Sequence, residues 1–270
     1  MNTKPSATLR FLEQHEVFTL EEFMTSVDPT VAERTRYANL RNAVAREQAY
    51  RIKRGLYASN LGIYRDRVPN VFLVAARAAE DAVLTHHTAL EAHGVAHSPL
   101  RTVYFTSAHG IGDFQVRGYR LTRVSPPVVS GSDANLDMFV TRVRAGDAIV
   151  PVTTKERSLV DCLQDLRCAG GLEEFLRSVG GFTSISADSV AAYAQLFGSP
   201  TLTARVGWVL ELAAEEWHID KEAVERMRQT LARGTYWLTR RQVRGKQQEF
   251  ISRWRLYVPS GLPYEDWISG

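Results

Sequence analysis

Cysteine is almost missing from this chain: 270 residues hold two, Cys162 and Cys168, in the stretch DCLQDLRCAG. Their spacing fits neither a CxxC redox pair nor half of a zinc site, so neither a disulfide framework nor a cysteine-built metal centre is expected. Cys162 reads as a small core residue and Cys168 as incidental. Long apolar runs are missing as well. None approaches the ~18 residues of a membrane-spanning helix. The opening MNTKPSATLRFLEQ has neither the apolar core nor the cleavage site of a secretion signal, so a cytoplasmic protein with no membrane partner is expected. GIGDF (110–114) lacks the GK[ST] of a P-loop, and the chain has no internal repeat or low-complexity run. An excess of either charge is lacking: 33 Lys and Arg against 30 Asp and Glu leave +3, too little to point to nucleic acid. What remains is an ordinary balance, 44% hydrophobic and 23% charged, which supports a large core without help from a metal. The length exceeds that of a usual single domain, so two are expected.

The distribution of charge says more than its sum. Between residues 28 and 54, Arg34, Arg36, Arg41, Arg46, Arg51, Lys53 and Arg54 face only Asp28, Glu33 and Glu47, a local +4. Between 226 and 255, nine cations meet only Glu249, a local +8. Two basic ends enclose a neutral-to-acidic body.

Local signals near the amino end describe three helices and a hairpin. Residues 6–15 read as a helix capped by Ser6, with Leu9 and Leu12 inward. TLEEFMTSV (19–27) opens on a capping box, Thr19 with Glu22 three residues on, ahead of Phe23 and Val27. Asp28 and Pro29 then read as a cap and first-turn proline of a longer helix reaching about Glu47. In YRIKRGLYAS (50–59), Tyr50, Ile52 and Leu56 suit an inward strand face and Gly55 a turn. Strict alternation sends Arg51 and Lys53 to solvent, with Arg54 beside the turn. The expected fold class is α+β: a winged helix-turn-helix over 1–62, a polar connector at 60–69, then a mixed α/β domain over 68–270 that ends in helices.

Placed at 100° steps, Tyr37, Leu40 and Val44 form a stripe for docking on the first two helices. Opposite lie Thr35, Asn39, Asn42 and Arg46 beside the small Ala38 and Ala45, with Arg34 and Arg41 on one flank and Arg36 on the other. Asparagine pairs bidentately with adenine and arginine with guanine in the major groove. Flanking cations lie where phosphates run and supply most of the affinity. On this reading Arg34, Thr35, Arg36, Asn39, Arg41, Asn42, Arg46, Arg51, Lys53 and Arg54 bind double-stranded DNA. Either a basic helix face or a basic hairpin alone would be an ordinary solvated surface; their joint occurrence favours DNA over a protein-docking module.

Other candidates read as structural. Five of the seven histidines (His86, His87, His93, His97, His109) fall between 86 and 109, but His86 and His93 are seven apart, not the i, i+3 or i+4 of a helical metal site. In TTKERSLVD, Thr153 and Glu156 form a second capping box and Arg157 pairs with Asp161 at i, i+4. No nucleophile and base converge, so no catalytic residue, cofactor or metal is expected. TRRQVRGKQQEFISRWRLYVP reads as helical over 240–253, with Phe250, Trp254 and Tyr257 packed beneath. Arg240, Arg241, Arg244 and Lys246 in it are secondary candidates for DNA or partner contact.

Four blocks taken together, YRIKRGLYA (50–58), TALEAHG (88–94), VTTKERSLVDCL (152–163) and ARVGWVLE (204–211), resemble the AbiEi-type antitoxin family of type IV toxin–antitoxin and abortive-infection systems. The resemblance spans about residues 5–260. It implies a winged helix that represses its own operon at inverted repeats, and a C-terminal domain that counteracts a nucleotidyltransferase-like toxin. It implies no active site. A reading of another class is an inhibitory scaffold that binds the partner enzyme without specific DNA binding.

Overall fold

A computed structural model of the chain describes residues 6–129, 136–239 and 247–269. Within these the fold is mixed α+β, with eleven α-helices and twelve strands. In chain order they are α1 (Ala7–Gln14), β1 (Val17–Thr19), α2 (Leu20–Ser26), α3 (Glu33–Ala45), β2 (Ala49–Lys53), β3 (Leu56–Ser59), α4 (Val71–Ala76), β4 (Val83–Leu84) and α5 (His86–Ala92). Next come β5 (Thr102–Thr106), β6 (Phe114–Val116), β7 (Tyr119–Val124), β8 (Val140–Ala145), β9 (Ala148–Thr153), α6 (Lys155–Gln164), α7 (Leu172–Gly180) and α8 (Ala187–Gln195). The last are α9 (Pro200–Leu212), α10 (Lys221–Gln229), β10 (Tyr236–Trp237), β11 (Gln248–Ile251), β12 (Leu256–Pro259) and α11 (Tyr264–Ile268). No helix among the described residues is long and apolar enough to cross a membrane.

Contacts divide the chain elsewhere than at 62–68. One compact unit takes 1–82, 101–124 and 144–150; the other takes 83–100, 125–143 and 151–270. The reason lies in the polar ties between α4 and the amino-terminal elements. In the first unit Arg77 donates to the Val17 carbonyl and pairs with Glu22 at 3.1 Å, the carboxylate that also accepts from the Thr19 N–H at 2.7 Å. Asn70 donates its backbone N–H to Glu16 at 2.9 Å and its side-chain amide to the Ala145 carbonyl at 2.7 Å. The amino-terminal elements are therefore tied to α4 and to the 144–150 segment.

The amino-terminal elements build on the expected caps. Thr19 and Glu22 close the box that starts α2, and Ser6 caps α1. In α1, Thr8, Phe11 and Leu12 are buried while Leu9 is only half-buried, because Phe11 joins an aromatic core with Phe18, Phe23 and Tyr57. Phe11 meets Phe18 and Phe23 edge-on at 5.1 and 5.2 Å, and Phe18 stacks on Tyr57 at 5.8 Å. Each such ring buried contributes about 1.5–3 kcal/mol. β1, β3 and β2 form an antiparallel sheet in that order.

In the same unit β5 lies parallel to β7, and β7 pairs antiparallel with β6. The turn between β6 and β7 is Arg117–Gly118, both at positive φ (45° and 85°). Asp81 anchors the end of β5, accepting from the Ser107 hydroxyl at 2.6 Å, the Ala108 N–H at 2.7 Å and the His109 ring at 2.9 Å.

The second unit is mostly helical. α6 is capped by Thr154, whose hydroxyl accepts from the Arg157 N–H at 3.3 Å, and not by Thr153. Thr153 ends β9, fully buried, with its hydroxyl 2.7 Å from that of Ser158. Glu156, displaced from the expected box, accepts from the Ser186 N–H at 3.3 Å. The Arg157–Asp161 pair forms at 3.2 Å, but inside the core, where Tyr193 and Thr85 also donate to Asp161 at 2.8 and 3.2 Å. His86 is buried, which pushes its pKa down, while His93 ends α5 with Nε2 2.8 Å from the Thr153 carbonyl oxygen. Burial raises both thiols, Cys168 to about 11. Residues 248–251, expected as helix, are strand β11, paired antiparallel with β12, and Phe250 is exposed rather than packed beneath. Trp254 is fully buried.

Candidate nucleic-acid interface

Helix α3 starts four residues later than the sequence signals predict. Asp28 does not cap it. Its Oδ1 accepts from the N–H and hydroxyl of Thr30 at 3.2 and 2.5 Å, closing a local turn at Asp28, φ 34°. An Asx side chain bonding two residues on competes with helix capping. The helix begins after Ala32, which makes no side-chain cap.

The face that α3 buries is also different. Leu40 and Ala43 are buried, Arg36, Asn39 and Val44 are half-buried, and Tyr37 stands 46% exposed. At 100° per residue the inward stripe lies roughly 60° from the Tyr37–Leu40–Val44 line. Leu40 and Ala43 join the aromatic core, and Tyr37 lies outside it. The rotation brings Arg34 and Arg41 onto the outward face, on one side of a centre formed by Ala38 and Ala45. That face carries Arg34, Thr35, Tyr37, Ala38, Arg41, Asn42, Ala45 and Arg46, all exposed. Among the described residues Arg34, Arg41 and Arg46 form no ion pair. Asn39 moves to the margin. Arg36, expected as a phosphate clamp, turns back and donates to the Asp28 carbonyl at 3.4 Å.

The hairpin splits its cations into two kinds. Arg51 and Arg54 are exposed, Arg51 donating through Nε to the Lys53 carbonyl at 3.2 Å. Lys53, expected in solvent, is half-buried. A register shift between Arg51 and Lys53 turns it out of strict alternation, the usual effect of a bulge. Its ammonium donates to the Ala78 carbonyl at 2.7 Å and lies over the Phe114 ring, 5.5 Å from its centre. Burial pushes its pKa down. Gly55, φ 79°, makes the turn as expected.

Tyr37 is the residue on this face that the sequence pattern assigned inward. The signal that finds it is Ala43: the Arg36–Leu40–Ala43 line is as consistent with helical spacing as the line through Tyr37. Arg240, Arg241, Arg244 and Lys246 lie outside the described residues. Elsewhere, Ser107, His109 and Asp81 come together without nucleophile geometry: the serine hydroxyl donates to the aspartate, and no imidazole nitrogen is aimed at it.

The fold is similar to that in the crystal structure of RV2827C protein from Mycobacterium tuberculosis, with a TM-score of 0.66 over 91% of this chain and 87% of that one. The two are 13% identical in sequence, so the likeness is one of fold alone. No family model matches the chain, and no curated protein does.

Proposed function

We propose that the protein is a DNA-binding transcriptional repressor in which Ala7–Ser59 is a winged helix-turn-helix, α3 its recognition helix and the β2–β3 hairpin its wing. The observation that carries this reading is the outward face of α3. Three arginines without an ion pair among the described residues, an asparagine and a threonine surround two alanines small enough to let the backbone approach bases. Arg41, Asn42, Arg46 and Thr35 read base edges in the major groove. Arg34, Arg51 and Arg54 hold phosphates on either side. A second copy occupies the other arm of an inverted repeat, and repression results from covering the promoter.

The further role, antitoxin of a type IV-like pair that counteracts a nucleotidyltransferase-like toxin, rests on the resemblance to the AbiEi-type family. The scaffold reading has one observation in its favour, the exposed Tyr37 ring at the edge of the cationic face, since tyrosine is enriched at protein interfaces. Gel shifts at low salt separate the two. Wild-type protein retards a duplex from its own upstream region, and Arg41→Ala with Asn42→Ala abolishes the shift. A wild-type protein that leaves this duplex unretarded refutes the repressor reading.

A further inference from the structure

A second hairpin runs beside the basic one. Arg117, in the turn between β6 and β7, lays its guanidinium over the Tyr50 ring of β2, 4.9 Å from the ring centre. At the other end of β6, Phe114 lies under the Lys53 ammonium. The two contacts occur in opposite order along the two strands, so the β6–β7 turn lies at the end of β2 nearest in sequence to α3. Tyr50 comes four residues after Arg46, a backbone reach of at most about 14 Å. One residue past the turn, the Tyr119 ring carries the Arg101 guanidinium at 4.8 Å.

These two arginines differ from their neighbours. Arg120 is neutralised by Asp113 at 2.8 Å, and Arg123 donates to the carbonyls of Ile111 and Ser107 at 3.2 and 3.0 Å. Arg117 and Arg101 are exposed, and among the described residues neither forms an ion pair. A cation resting on an aromatic face is held in position while keeping its full charge. Two such charges at one turn, at the end of β2 nearest in sequence to α3, make a cationic patch contributed from outside the amino-terminal module. Its complement is a polyanion.

We propose that the β6–β7 turn is a second wing, in which Arg117 and Arg101 contact phosphates of the same duplex that α3 reads. The proposal rests on the DNA-binding reading and adds a contact surface from residues 101–119. Contacts of this kind add affinity and salt dependence, not base information.

The test is a salt series of anisotropy titrations with the full chain, using a duplex from its own upstream region and a scrambled one. Arg117 stands at positive φ, so Arg117→Asn is the suitable neutral variant, because asparagine tolerates that conformation. Arg117→Asn and Arg101→Ala are each expected to lower the slope of log K against log salt by ~0.9 and to weaken both duplexes equally. Arg117→Lys, which keeps the charge, retains the slope. If Arg117→Asn misfolds by its thermal midpoint, Arg101→Ala decides alone. Wild-type slopes in both variants, with a lower slope in Arg34→Ala, overturn the second wing and leave the recognition helix standing. A wild-type protein that binds neither duplex overturns both.

Discussion

The six-membered ring of Trp254 lies directly against Gly207, in the space a β-carbon would take on that residue. The indole N–H donates to Glu211, one turn further along the same helix α9. A glycine inside a helix costs about 1 kcal/mol relative to alanine, and here the close approach of a fully buried tryptophan requires it. Gly207→Ala is expected to destabilise the second unit by about 2 kcal/mol net, the upper end of an overpacking cost of about 1–3 less about 1 gained in helix propensity. Urea unfolding followed by tryptophan fluorescence reads it as a lower midpoint. An unchanged or higher midpoint would mean that the ring moves aside freely.

Lys53 and Arg54 are neighbours in sequence and opposites in role. Lys53 is committed to the Ala78 carbonyl and the Phe114 ring, while Arg54 is exposed. Arg54→Ala is expected to lower the salt slope of duplex binding by ~0.9, whereas Lys53→Met leaves it at the wild-type value. Equal losses in the two variants would contradict this division of labour.

Within α3, Asn42 points outward and Asn39 lies at the half-buried margin. Replacing Asn42 with alanine should cost about 1–3 kcal/mol of discrimination at one base pair of the site and leave the salt slope intact. Asn39→Ala should change discrimination little. Binding measured across a panel of single-base operator variants checks both, and a larger effect at Asn39 would restore the unrotated face.

The buried His87 ring lies between two carboxylates, Glu91 at 2.9 Å and Glu174 at 3.0 Å. Burial opposes its charge, but the two carboxylates outweigh burial and hold its pKa above the usual value of about 6.5. A pKa raised by folding gives stability that is complete below the unfolded value and is lost as pH rises through the folded one. The gap in unfolding midpoint between wild type and His87→Gln should therefore narrow as pH climbs above about 6.5. A gap independent of pH would show the ring to be neutral throughout.

What was legible in the sequence was local. The Thr19–Glu22 box, the Ser6 cap, the Gly55 turn and the pairing of Arg157 with Asp161 all link groups within four residues and appear as read. The departures have distant causes. The 248–251 segment is a strand because β12 lies beside it, and no local propensity reports a partner strand. Thr154 replaces Thr153 as the α6 cap because Thr153 is held at the end of β9. The inward face of α3 was misplaced because the helix alone allows two stripes, and the core formed by Phe11, Phe18, Phe23 and Tyr57 selects the one through Leu40 and Ala43.

By itself, the sequence determined that a basic helix and a basic hairpin succeed one another near the amino end, since charge and turn residues are local properties of the chain. Which of those cations remain free was decided only by the tertiary structure. Lys53 and Arg36 find carbonyls contributed by residues 25 and 8 positions away in sequence, whereas Arg41, Arg46 and Arg54 meet no such partner among the described residues. The physical reason is that a long cationic side chain takes whichever acceptor folding brings within about 3 Å, and that acceptor is supplied by the packing of other segments.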